Sequence, residues 1–225
     1  MKKLYIFLFI ASLLKLNAFS QTIGPTSYPV IVPGATLTIN SLRDESAFVI
    51  DNNSNKWIGF NLGTGNSFQL LRYNGTQWDT FPAFNALSAT NKVNALAVDA
   101  SNNLWIGSNM GLTMYNGTSF TTYNTTNSGI VSDTIISLAC GNGNVYAGSG
   151  GKGLSVYNGT NFTIANGMNS NTVYCITVEN ASAIWLGNQS GIEKFNGSNF
   201  TFNYVTTNNT VDVVNCIYID AQSNK

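Results

Sequence analysis

The sequence predicts an all-β fold made of repeated four-stranded antiparallel sheets, and two observations support this prediction. The first is a motif in which an aromatic residue is followed by one apolar residue and then by glycine. It begins at Trp57, Trp105, Tyr146 and Trp185. The second is an aromatic-Asn-Gly motif that begins at Tyr73, Tyr115, Tyr157 and Phe195. Both motifs recur at intervals of roughly 40 residues, a length typical of repeats that each form one small sheet.

The second repeat shows how each unit is divided into strands. Val93–Val98 is almost continuously apolar, as expected of a strand that is covered on both faces. A polar turn leads to a second predicted strand, Leu104–Ser108, and a third follows at Gly111–Tyr115. Asn116-Gly117 is a strong hairpin signal because a type I′ turn needs positive φ at both central residues. The fourth predicted strand, 119–123, is rich in Ser and Thr and is therefore expected at the outer edge.

Four antiparallel strands in roughly 40 residues form one blade of a β-propeller. A blade cannot bury both of its faces alone, so consecutive blades must stack. The large ring of the first motif is expected to pack between blades, and its glycine is expected to let the next blade approach closely. These structural markers are Trp57, Gly59, Trp105, Gly107, Tyr146, Gly148, Trp185 and Gly187.

The chain divides into a signal peptide at 1–20, a lead-in at 21–44 and propeller repeats over 45–225. The predicted blades span 45–82, 92–124, 134–165 and 172–205, with a partial fifth blade over 213–225. Because 220–225 repeats the residues that precede Trp57, we expect the sequence to be part of a larger propeller. The alternative is a small closed ring in which residues 35–40 donate a strand to the last blade.

The N-terminus predicts export from the cytoplasm. Lys2 and Lys3 precede an apolar run over 4–14, and Ala18 and Ser20 lie at positions −3 and −1 of a predicted cleavage site. The alternative, a retained membrane anchor, is disfavoured because the apolar run is shorter than the roughly 20 residues of a membrane-spanning helix. We therefore expect the mature chain to be periplasmic or secreted.

Composition excludes several classes of function. The chain has 10 basic and 10 acidic residues, and loss of three lysines with the signal peptide would leave it acidic, which argues against nucleic-acid binding. With no His, a Ser-His-Asp triad and a His metal site are both excluded. No cofactor or metal is expected. Cys140, Cys175 and Cys216 are odd in number and lie in apolar strand patterns, so buried free thiols are expected.

The repeat resembles a known family. In the second unit the residues that carry the resemblance are 93–99, 103–108, Gly111-Leu112 and 115–117, and the match recurs four times over about 45–220. These motifs resemble the two-component regulator propeller repeat. The third unit departs from it, with Tyr146 in place of Trp and Cys140-Gly141 where the other units have an apolar residue and an acid.

The resemblance implies a function for the propeller. In that family, propellers form the extracytoplasmic sensory part of hybrid histidine kinases, often those that detect polysaccharide fragments. Related repeats occur in secreted proteins without a kinase. The resemblance therefore implies either a sensory module or a secreted propeller protein.

One repeat position carries an acid in most units, and its members are Asp51, Asp99, Glu179 and Asp220. A ring of such carboxylates around a cation is one hypothesis, but an acid after the first strand is expected to cap the turn by accepting backbone N–H groups. We favour the capping role. For the Trp residues, packing between blades is favoured over stacking on sugars.

Ligands of propellers gather at one end, where turns between second and third strands meet the loops between blades. In this sequence those turns carry neutral amides near aromatic residues, which suits an uncharged, hydroxyl-rich ligand such as an oligosaccharide. The candidate ligand-binding residues are Asn61, Thr64, Asn109, Met110, Lys152, Asn188 and Gln189.

We therefore predict an extracytoplasmic, non-catalytic sensing or binding module of a two-component regulator type protein. Its expected partners are a carbohydrate or other small uncharged ligand, further C-terminal blades, and a signalling domain of the same protein. The alternative is a secreted structural or adhesion propeller without a signalling role. A polysaccharide-cleaving enzyme is the weakest hypothesis; without His, its acid or base would be a residue such as Asp133 or Glu193.

Overall fold

The computed structural model describes a defined part of the chain. The described residues are 28–32, 35–39, 45–60, 70–81, 84, 92–203, 206–207, 210–220 and 222. The predicted signal peptide, 1–20, lies outside them. Within the described residues, no helix has the length and apolarity needed to span a membrane.

The first described element is a separate hairpin. Its strands, β1 (Tyr28–Val32) and β2 (Ala35–Ile39), pair antiparallel with each other in a two-stranded sheet. The small-ring alternative placed residues 35–40 beside the last blade. In the structure β2 pairs with β1 instead, and the fourth blade takes all four of its strands from its own repeat.

Four antiparallel sheets of four consecutive strands follow, and the predicted all-β propeller class is confirmed. Blade 1 contains β3 (Glu45–Ile50), β4 (Lys56–Phe60), β5 (Leu70–Tyr73) and β6 (Trp78–Thr80). Blade 2 contains β7 (Val93–Val98), β8 (Leu104–Ser108), β9 (Gly111–Tyr115) and β10 (Phe120–Tyr123). Blade 3 contains β11 (Ile135–Gly141), β12 (Asn144–Ser149), β13 (Leu154–Tyr157) and β14 (Phe162–Ala165). Blade 4 contains β15 (Val173–Asn180), β16 (Ala183–Asn188), β17 (Gly191–Phe195) and β18 (Phe200–Asn203).

The hairpins between third and fourth strands form at the predicted Asn-Gly pairs, but the predicted type I′ turn is wrong, because Gly117 has a positive φ and Asn116 does not. Asn116 Oδ1 accepts the backbone N–H groups of Thr118 at 3.0 Å and of Ser119 at 2.9 Å. Gly117 has a φ of 94°, which a residue with a side chain rarely adopts. The Tyr115 hydroxyl donates to the Gly117 carbonyl at 2.8 Å and closes the turn. Asx-turn chemistry therefore accounts for the repeated Asn-Gly pair.

Consecutive blades stack through the aromatic residue that opens the first motif. Trp57 is 3% exposed and lies in a cluster with Leu104 and Ile106 of blade 2. Trp105 is 2% exposed and lies in a cluster with Val145 and Ala147 of blade 3. Burial of these two indoles between blades supports the packing role and leaves neither of their ring surfaces free for a sugar, whereas Trp185 is only half-buried.

The glycine of that motif lies against the first strand of the next blade. A Cβ atom at Gly107 would come within 2.8 Å of Ile135 Cγ2, and one at Gly148 within 2.7 Å of Val173 Cβ. Gly59 meets Val93 in the same way. The absence of a side chain at this position therefore sets the distance between blades.

Residues 212–220 lie along blade 4 but form no strand. The Val214 N–H donates to the Asn188 carbonyl at 3.0 Å, and the Thr177 hydroxyl donates to the Ile217 carbonyl at 2.8 Å. Val214 faces Gly187 as Ile135 faces Gly107. The segment thus occupies the place of a next first strand, although a partial fifth blade over 213–225 is not confirmed.

Apolar side chains are exposed on blade 1, on the side away from blade 2, and on the segment 212–220 beyond blade 4. Phe48 is 36% exposed and Ile50 is 46% exposed. Their counterparts in blade 2, Leu96 and Val98, pack against the cluster between blades 1 and 2. Beyond blade 4, Tyr218 is 77% exposed. These two surfaces, which we call the free faces, have the composition of an interface between blades.

The cysteines follow the prediction only in part. All three are free, and Cys140 and Cys175 are half-buried, where burial raises their thiol pKa values to about 12 and about 11. Cys216, however, is exposed, which corrects the expectation of a buried thiol. It lies in the segment beyond blade 4, at the repeat position that Cys175 holds in blade 4, and no described blade follows to cover it.

Candidate functional site

The acid at the repeat position caps its turn and also holds the indole. Asp99 Oδ1 accepts the backbone N–H groups of Ser101 and Asn103, both at 2.9 Å, and Asp99 Oδ2 accepts Trp105 Nε1–H at 2.8 Å. The same acid–indole bond recurs in blades 1 and 4, at 2.9 Å for Asp51 with Trp57 and 2.7 Å for Glu179 with Trp185. The capping role is therefore supported for Asp99 and for Asp51, whose Oδ1 accepts the backbone N–H groups of Asn53 and Asn55.

Nothing in the described residues gathers these acids around a cation, since no group of three or more candidate ligands from His, Cys, Asp and Glu is found there. For Asp51, burial acts to raise the carboxyl pKa, but hydrogen bonds from Trp57, Asn55 and Asn53 outweigh it and leave the pKa below its ordinary value. The carboxylate form therefore stabilises the folded blade, and this contribution is lost as pH falls through the lowered pKa.

In blade 3 the turn between the first and second strands forms without an acid at the repeat position. Asn142 and Gly143 have φ values of 54° and 77°, so a tight two-residue turn joins β11 to β12. The Tyr146 hydroxyl accepts the Asn144 amide at 3.4 Å in place of an indole–carboxylate bond. Two residues separate β11 from β12, against five between β7 and β8, and this shorter turn accompanies the change from Trp to Tyr.

The structure gathers the described candidate ligand residues at one end of the stack. Asn109 and Met110 lie in the β8–β9 turn, Lys152 lies in the β12–β13 turn, and Asn188 and Gln189 lie at the β16–β17 turn. All three turns join second to third strands, so they share an end of their antiparallel sheets. Candidates Asn61 and Thr64 lie outside the described residues. We call this end the turn end.

Loops between blades pass beside these turns. The Gly111 N–H donates to the Asp133 carbonyl at 2.6 Å, and the Gly153 N–H donates to the Asn171 carbonyl at 2.7 Å. Asp133 in turn binds its own loop, since its carboxylate accepts the backbone N–H of Thr125 at 2.7 Å. The carboxylate of Asp133 therefore stabilises the loop between blades 2 and 3.

The candidates differ in accessibility. Asn109, Met110, Lys152 and Gln189 are exposed. Asn188 is fully buried: its Nδ2 donates to Glu193 Oε1 at 2.8 Å, and its Oδ1 accepts the Ser190 N–H at 2.7 Å. Asn188 therefore shapes the turn, while ligand contact by the exposed four stays a prediction.

Sequence reasoning missed a residue that positions one candidate. Asn94 Nδ2 donates to Asn109 Oδ1 and to the Ile135 carbonyl, both at 2.9 Å. Asn94 thus orients the Asn109 side chain and also ties blade 2 to the first strand of blade 3. The available signal was an Asn inside the apolar run Val93–Val98.

A stack of four-stranded blades joined at a loop-rich end defines a β-propeller module. The family model described as two component regulator propeller matches residues 88–110, a stretch that includes β7 and β8. The resemblance seen in the sequence is thus confirmed for the part of the second unit that the family model matches.

Solved structures with the same fold include two extracellular domains from B. thetaiotaomicron. One belongs to the candidate hybrid two component system BT3049, with 19% identity, a TM-score of 0.60, and coverage of 80% of this chain and 27% of that chain. The other belongs to the candidate one component system BT4673, with 19% identity, a TM-score of 0.58, and coverage of 84% and 25%. The chain thus spans about a quarter of these domains.

The WD40 β-propeller domain of Doa1 is also similar, with 14% identity, a TM-score of 0.51, and coverage of 75% of this chain and 57% of that chain. Among the curated proteins, no relative matches the chain. At these identities the structural matches establish the β-propeller fold.

Proposed function

We propose that this chain is an extracytoplasmic, non-catalytic propeller module that binds a ligand for a regulator of the two-component type. The observation that carries the proposal is the turn end, where four exposed candidate side chains lie on turns held by the loops between blades. Support for the location comes from the predicted signal peptide and from similar structures described as extracellular domains.

The proposed ligand is an oligosaccharide. Asn109 and Gln189 each offer an amide that can both donate and accept a hydrogen bond, which matches the hydroxyl groups of a sugar. Met110, at 42% exposed, adds an apolar surface beside them. Lys152 is the one cationic candidate, so the test includes acidic sugars as well as neutral ones.

Replacing both exposed amides, Asn109→Ala with Gln189→Ala, is expected to weaken oligosaccharide binding about tenfold, because about two hydrogen bonds of roughly 0.5–1.5 kcal/mol each would be lost. Isothermal titration calorimetry with neutral and uronic-acid oligosaccharides measures this change. Thr160→Ala, in the hairpin at the opposite end of blade 3, is the matched control and should leave binding unchanged. Equal losses in both variants, or no saturable binding by any sugar, would refute the proposed site.

We further propose that additional sheets of the same repeat are the partners of the free faces. The support is continuity: Ile50 is exposed at the repeat position where Val98 packs against the preceding blade. Without such sheets the free faces should associate with one another, since complementary, non-identical surfaces join head to tail.

The chain is therefore expected to self-associate with rising concentration, and Ile50→Glu is expected to weaken association at least about tenfold by burying a charge at the contact. Sedimentation velocity measures the distribution of species. Ile164→Glu is the matched control, because Ile164 is also 46% exposed but lies on the outer strand β14. If the two variants weaken association equally, the free faces are not the contact.

A further inference from the structure

We infer that Glu193 acts as a proton-dependent latch that holds the loop between blades 3 and 4 against blade 4. This loop, 166–172, joins β14 to β15. Glu193 Oε1 accepts the Asn169 backbone N–H at 3.0 Å, and Glu193 also accepts a hydrogen bond from the Ser170 backbone. A side chain of β17 thereby fixes the backbone of a loop that contributes no strand of its own.

The latch is a carboxyl group in a buried setting. Glu193 is 1% exposed, and in the described part of the chain its Oε2 atom has no hydrogen-bond partner. A carboxylate with one unsatisfied buried oxygen is costly, since the negative charge loses its hydration there. Burial acts to raise the pKa of Glu193, and the hydrogen bonds from Asn188, Asn169 and Ser170 offset only part of this effect, so the pKa lies above its ordinary value.

Among the residues that the structure describes, the elements packed around the latch bring no opposite charge to it. Its neighbours across the sheet are Leu186 on β16 and Phe202 on β18, and the loop 166–172 contains no charged residue. Lys194, next in the strand, lies over the Trp185 ring, 5.5 Å from its centroid. Lys152 is exposed in the neighbouring turn. Desolvation therefore dominates the behaviour of the Glu193 carboxyl group.

An equivalent contact between blades 2 and 3 uses a group that does not titrate. Ser155 is two residues after Gly153, as Glu193 is two residues after Gly191, and it is fully buried. Its Oγ accepts the Val131 backbone N–H at 3.0 Å from the loop between blades 2 and 3. The molecule thus contains both a titrating latch and a matched non-titrating one.

The sign of the pH effect follows from the raised pKa. When the loop leaves, water reaches the carboxyl group and its pKa returns toward the ordinary value of 4.5; the loss of hydration on docking outweighs the loop N–H groups, which lower the pKa, so docking favours protonated Glu193. The contribution of docking is therefore complete below the ordinary pKa and is lost as pH rises through the raised value. Loop 166–172 should therefore loosen from blade 4 as the solution becomes neutral.

The latch lies beside two candidate ligand turns. Asn171, in the loop, accepts the Gly153 N–H next to Lys152, and the Thr172 hydroxyl lies 3.4 Å from Gln189 Nε2. Loop docking therefore sets the relative placement of these two turns. This consequence for ligand binding rests on the proposed function, whereas the latch itself does not.

Hydrogen exchange of the whole chain, resolved at single amides and corrected for intrinsic rates, tests the latch without any ligand. Between about pH 4.5 and pH 8 the protection of Asn169 is expected to fall about threefold or more, while that of Val131 stays constant. In Glu193→Gln, which keeps the Oε1 acceptor but carries no charge, the Asn169 protection should no longer depend on pH.

Two results of this experiment would overturn the inference. Parallel pH dependence of Asn169 and Val131 in the unsubstituted chain overturns it, and so does a pH-dependent Asn169 in Glu193→Gln. Should that variant not fold, the comparison of the two amides in the unsubstituted chain is decisive alone. A working latch in a chain that binds no oligosaccharide would leave the inference standing and reject the proposed function.

Discussion

Replacing Trp105 by alanine is expected to lower the free energy of unfolding by about 3–5 kcal/mol, the usual cost of removing a buried Trp. Trp105 is 2% exposed between blades 2 and 3, and its ring centroid lies 5.4 Å from that of Tyr157. The change removes this packing and leaves Asp99 without the indole N–H that its Oδ2 accepts. Urea denaturation followed by circular dichroism measures the loss.

Two further variants separate packing from the hydrogen bond. Trp105→Phe keeps a ring but removes the indole N–H, so it is expected to cost less than the alanine variant, about 1–3 kcal/mol. Trp78→Ala is the control, because Trp78 is only half-buried on the outer strand β6. If Trp105→Ala costs no more than Trp78→Ala, the indole does not hold the blades together.

Adding a single methyl group at Gly107 is expected to destabilise the fold by about 1–3 kcal/mol through overpacking. The new Cβ would lie 2.8 Å from Ile135 Cγ2 and 3.3 Å from the Ile135 carbonyl oxygen. Since that backbone belongs to the first strand of blade 3, relief would require the two blades to separate. Thermal unfolding of Gly107→Ala measures the effect.

Gly150→Ala is the matched control in blade 3. The nearest atom to its added Cβ would be Thr134 Cγ2 at 3.5 Å, which is an ordinary van der Waals distance. This variant should melt within a few degrees of the unsubstituted chain, since about 1 kcal/mol corresponds to only a few degrees. Equal destabilisation by both substitutions would show that close approach of blades is not the function of the glycine.

Local patterns predicted the strands well because the conformation of each strand depends on nearby residues. Val93–Val98, Leu104–Ser108 and Gly111–Tyr115 form strands with the predicted bounds, and the fourth strand begins one residue later, at Phe120. Asn116-Gly117 forms the predicted hairpin because its conformation is set within four residues. The signal for the acid–indole bond was also present, as a constant separation of six residues between Asp99 and Trp105 and their counterparts, but its meaning required the side-chain geometry.

The amino-acid sequence by itself determined the repeated blade, its strand order and its turns, since alternation, glycine and Asn-Gly chemistry act over short distances. Only the tertiary structure decided that Asn188 is buried, that Cys216 is exposed and that the Glu193 carboxyl group is buried with one oxygen lacking a hydrogen bond among the described residues. Burial at these positions depends on what the neighbouring blade or loop places opposite them. For Glu193 that neighbour is Asn169, which is 24 residues away along the chain and beyond the reach of any local pattern.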